Sequence, residues 1–84
     1  MSSKGATMTR EKFLAEYRAA ICAAYAWTAD AEKLGRFMAS VETTLKGPRT
    51  TWVFASECAT AAWRAIGGKG KPTLKALRAL PSEP

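Results

Sequence analysis

Apolar residues recur along this chain at the three- and four-residue steps of an α-helix, not at the two-residue step of a strand. Phe13, Tyr17, Ile21 and Tyr25 follow at every fourth position with Leu14 beside them, while Arg10, Lys12, Glu16 and Arg18 fall largely off that stripe. The pattern predicts a first helix of about four turns, capped by Thr9 and with Glu11 near its positive end. Leu34, Phe37, Met38, Val41 and Leu45 form a second stripe, preceded by the cap oxygens of Thr28 and Asp30. Gly47-Pro48 is expected to end it, the glycine in a left-handed stop and the proline barring continuation. Because few residues around Trp27 separate the two helices, they are expected to pack as an antiparallel hairpin.

The second half is more mixed. Residues 49–54, Arg-Thr-Thr-Trp-Val-Phe, have the β-branched and aromatic content of extended chain. Yet Trp52, Ala55, Ala59, Ala62, Trp63 and Ile66 would also share one helical face. The expectation is an irregular lead-in and then a third helix from about Ser56 to the Gly67-Gly68 break. A short fourth helix follows, with Pro72 and Thr73 at its start, Leu74, Leu77 and Leu80 toward the core, and Pro81 as its stop.

These elements predict an all-α fold, a small bundle of three longer helices plus a short C-terminal helix. Residues 9–80 make the single domain, between a polar leader (1–8), expected to be mobile, and a tail (81–84). The expected core is Phe13, Leu14, Tyr17, Ile21, Phe37, Met38, Val41, Leu45, Ala59, Trp63, Ile66, Leu74 and Leu77. At 84 residues the chain has material for one core only.

Charge changes the picture more than composition does. Residues 1–42 carry six Lys or Arg against five acids, whereas residues 43–84 carry seven against two, a net +5 out of the total +6. A field concentrated in one half suits a polyanion or an acidic protein surface, and it also suits a merely solvated face. The cations in question are Arg49, Arg64, Lys69, Lys71, Lys75 and Arg78, with Trp52 as the aromatic closest to an exposed interface.

Other chemistry finds little to build on. The chain has no histidine, and its carboxylates are scattered over predicted solvent faces, so no catalytic constellation forms and the protein is expected not to be an enzyme. Cys22 and Cys58 are too few for a structural zinc site and read as buried free thiols, so neither metal nor cofactor is expected. No apolar run is long enough for a membrane span, and a reducing cytoplasm is the expected location. The Gly67-Gly68-Lys69-Gly70-Lys71 run is not a nucleotide-binding loop, because Ala65 and Pro72 stand where that motif needs Gly and Ser/Thr and a helix precedes it.

The third helix, the glycine break and the fourth helix, about 25 residues together, resemble a helix-turn-helix, with Ala62-Trp63 leading through Ile66-Gly67 to Thr73-Leu74-Lys75. They depart from it in the bulk of Trp63 and in a turn about one residue longer. The fourth helix has few side chains that read base edges, so contact with phosphates is expected rather than with bases. As a whole the chain resembles the short basic helical proteins encoded by bacteriophages and prophages. That resemblance implies a DNA-handling accessory or regulatory factor, or a small inhibitor that docks on a host defence complex, as anti-CRISPR proteins do. The expected partner is accordingly nucleic acid, or an acidic or nucleic-acid-binding host protein. A homo-oligomer joined through leftover apolar surface is the third reading.

Overall fold

Thr9 opens α1 (Arg10–Tyr25) as the spacing predicts, its Oγ1 accepting from the Lys12 N–H at 3.2 Å. The computed structural model describes residues 8–26, 29–47 and 56–82, and no strand occurs among them. Asp30 caps α2 (Ala31–Lys46), accepting from the Lys33 N–H at 2.9 Å. The third helix, α3, is Ser56–Ala65, and Thr73 caps the short α4 (Leu74–Arg78) by accepting from the Ala76 N–H at 3.0 Å. Each cap satisfies one of the amide donors that a helix start leaves without an internal partner.

The all-α architecture expected from the periodicity is the one observed. Phe13, Tyr17 and Ile21 of α1 are wholly buried, and they meet Leu34, Val41 and Leu45 of α2, Cys58, Ala59 and Ala62 of α3, and Ile66, Leu77 and Leu80 beyond. Tyr17 sits between two rings, stacked on Phe13 with centroids 5.7 Å apart and on Phe37 of α2 at 6.1 Å.

The expected α1–α2 hairpin is not the dominant pairing: α1 packs mainly on α3, more lightly on α2, and α4 packs on α2. Side-chain size accounts for this. Ala59 and Ala62 let the α3 backbone approach α1 closely, whereas α2 presents Phe37 and Met38, which remain half-buried at the edge of the core. Leu14, Trp63 and Leu74, also expected in the core, are half-buried as well. Tyr25 is 48 % exposed, on the last turn of α1. Cys58 is buried as expected, but Cys22 only partly. Met8, expected in the leader, packs against the core.

Two helix ends differ from expectation. Gly47 is extended (φ −105°, ψ 176°), not left-handed, as befits a residue whose successor is a proline that disfavours helical backbone before it. The left-handed stop occurs instead at Ala26 (φ 55°, ψ 36°), whose N–H reaches the Cys22 carbonyl at 2.8 Å. A non-glycine residue there costs about 1–2 kcal/mol. The expectations for Trp27, Thr28 and residues 49–55 lie outside the described residues.

The C-terminal segment is tied down by two arginines. The Thr44 carbonyl in the last turn of α2 would bond to the N–H of residue 48, but that residue is proline and has none. Arg78 supplies the missing donors, Nε at 3.1 Å and Nη2 at 2.9 Å from the Thr44 oxygen. The carbonyl of Arg78, the last residue of α4, accepts from Arg10 Nη2 at 3.1 Å. In return the Arg10 N–H at the start of α1 donates to the Pro81 carbonyl at 2.9 Å. Arg10 Nε is buried in this junction with no hydrogen-bond partner.

Replacing Arg78 with Ala should cost about 1.5–3 kcal/mol, the range for a hydrogen bond to a charged group. Urea unfolding measures it, with Arg36→Ala as comparison, since that arginine pairs with Glu32 on an exposed face. Equal losses for the two variants would show that the Thr44 contact contributes little.

Candidate functional site

The turn after α3 is built around Trp63. Gly67 has φ 104° and donates to the Arg64 carbonyl at 3.1 Å, and the Gly68 N–H reaches back to the Trp63 carbonyl at 2.8 Å. This pair of bonds is the Schellman stop, which favours glycine at the left-handed position. Gly68 is needed for a different reason: a Cβ there would fall inside the Trp63 indole. The indole Nε1–H then donates to the Lys69 carbonyl at 3.1 Å. The ring thus holds the chain on which Lys69 stands, and Gly70 (φ 69°) turns it toward Lys71 and the cap of α4.

No described acid neutralises the cations on and around this turn. Arg64, Lys69, Lys71 and Lys75 are all exposed, and none forms an ion pair with a described acidic residue. The sequence explains why, since residues 58–82 contain no Asp or Glu. On α2 the situation is the opposite, with Arg36 3.0 Å from Glu32 and Lys46 3.7 Å from Glu42. Arg78, expected among the binding residues, is half-buried, with its guanidinium on the Thr44 carbonyl. Arg49 and Trp52 lie outside the described residues.

One cation joins from a helix that sequence reasoning left out of the site. Lys12, Ala15 and Glu16 of α1 and Arg64, Ala65, Ile66 and Gly67 at the end of α3 together line an open groove of about 470 Å³. Gly67 belongs to both groove and turn, so the groove runs up to the segment carrying Lys69. Lys12 had no signal in the sequence beyond lying off the core stripe, because its relation to Arg64 exists only once α1 packs on α3.

The remaining candidates have structural roles. Trp63 is half-buried against its own turn. Burial pushes the Cys58 thiol up from its ordinary pKa, and the neighbouring Glu57 carboxylate adds to the effect. The five-residue α4 packs on α2. No helix among the described residues is long and apolar enough to cross a membrane.

Gly68→Ala should destabilise the fold by about 1–3 kcal/mol, as overpacking does, and shift tryptophan emission as the Trp63 indole is displaced. Unchanged stability and emission would mean that the ring has room to move. For the cysteines, alkylation under native conditions at mildly alkaline pH should label Cys22 well before Cys58, because the reactive thiolate is scarce and shielded at Cys58. Peptide mapping by mass spectrometry gives the order, and equal rates would contradict it.

No family model matches this chain, and no curated protein or solved structure is significantly similar to it.

Proposed function

We propose that this protein is a non-enzymatic, cytoplasmic nucleic-acid-associated factor that grips the sugar–phosphate backbone, in the accessory or regulatory role implied by its resemblance to phage-encoded basic helical proteins. The observation that carries this reading is the set of exposed cations at Arg64, Lys69, Lys71 and Lys75, in a stretch of 25 residues without an acid. A surface that must displace counterions from phosphates gains from the absence of interspersed acids, since each neutralised phosphate adds to affinity.

Contacts of this kind carry little sequence information. The α4 face offers Lys71 and Lys75 in place of the Asn, Gln and Arg pattern that reads base edges. Trp63 is committed to its turn, which leaves the cations as the principal means of contact among the described residues.

Four phosphate contacts imply a fall in affinity for duplex DNA of roughly a hundredfold between 50 and 200 mM salt. Fluorescence anisotropy with labelled single- and double-stranded DNA and with RNA measures it. The triple variant Lys69→Glu, Lys71→Glu, Lys75→Glu is expected to lose binding while keeping its helical circular dichroism. No binding to any of the three at 50 mM salt, or affinity indifferent to salt, rejects the reading. Capture of an acidic or nucleic-acid-binding host protein that survives nuclease treatment, with no intrinsic nucleic-acid affinity, would transfer the same surface to a protein partner.

A further inference from the structure

The groove between α1 and α3 widens the surface beyond the residues that the charge run suggests. Lys12 from α1 and Arg64 from α3 both line it, together with the small or apolar Ala15, Ala65, Ile66 and Gly67. Neither cation has an ion pair with a described acid, and both are exposed. The small and apolar lining suits the flat face of a sugar, and the groove meets the basic turn at Gly67. Resting on the function proposed above, we infer that a nucleic-acid strand crosses from the Lys69 turn into this groove, where Lys12 and Arg64 hold one phosphate between them.

The binding surface then includes α1, and Lys12 is a phosphate-contacting residue of the same rank as those in the C-terminal half. Glu16, four residues on along the same helix face, lines the groove too and opposes an anion there. Its carboxylate lowers affinity and limits how deeply the strand seats. Arg18 is the natural comparison: it carries the same charge as Lys12 on the same helix, is exposed, and lies about 240° around the axis from it.

The test is a salt titration of wild type, Lys12→Gln, Arg18→Gln and Glu16→Gln against one labelled duplex, with melting temperatures measured alongside. Losing one phosphate contact should reduce the slope of log affinity against log salt by about 0.9 and weaken binding about eightfold at 100 mM salt. That is expected for Lys12→Gln, while Arg18→Gln keeps the wild-type slope and Glu16→Gln binds more tightly than wild type. If wild type binds with steep salt dependence but Lys12→Gln matches Arg18→Gln, the strand does not enter the groove, although the basic turn keeps its role. Tight binding by wild type with no gain from Glu16→Gln also counts against the groove. If wild type binds no nucleic acid, both proposals fall together.

Discussion

The fold depends on two carbonyl oxygens at helix ends, and on the arginines that answer them. Pro48 deprives the Thr44 carbonyl of its donor, the Arg78 carbonyl ends α4, and the donors they find come from 34 and 68 residues away along the chain. A five-residue helix is too short to hold itself together. Its place is set by Leu77 and Leu80 in the core, by Arg78 reaching α2 and by Arg10 reaching back from α1. Each guanidinium meets the negative end of a helix, so charge and hydrogen bonding act in the same direction.

This arrangement divides the basic residues into two populations. Arg10 and Arg78 serve the fold, and the ion pairs of α2 neutralise Arg36 and Lys46. Among the described cations outside those two groups, Arg64, Lys69, Lys71 and Lys75 are exposed on and around the turn, and Lys12 lines the groove with Arg64. Net charge alone does not distinguish Arg78, whose guanidinium is held on the Thr44 carbonyl, from the exposed Lys12. The turn that carries Lys69 is fixed by a ring and a backbone stop, so the ordering of that segment is largely complete before any partner arrives.

Local physics was legible in the sequence and tertiary choice was not. The caps Thr9, Asp30 and Thr73 and the stop at Gly67-Gly68 all follow from short-range spacing and backbone chemistry. The preference of α1 for α3 over α2 is a matter of which facing side chains are small, and adjacency in sequence argued for the wrong neighbour. Ala26 gave no sign of a left-handed stop because alanine has no preference for one. Arg78 looked like one more surface cation because its carbonyl acceptor lies on another helix, and the significance of Pro48 emerges only when Thr44 is seen to need a donor.

The ties at Thr44 and Arg78 join cations to amide oxygens, not to carboxylates. An amide oxygen holds no proton at ordinary acidity, so acidification that would dismantle an arginine–carboxylate clasp has nothing to titrate in these acceptors. The vulnerability lies elsewhere, with solutes that mimic the clasp itself. Free guanidinium ions present the same planar fork and can compete for the same oxygens, so this junction is open to chemical imitation where it is closed to acid.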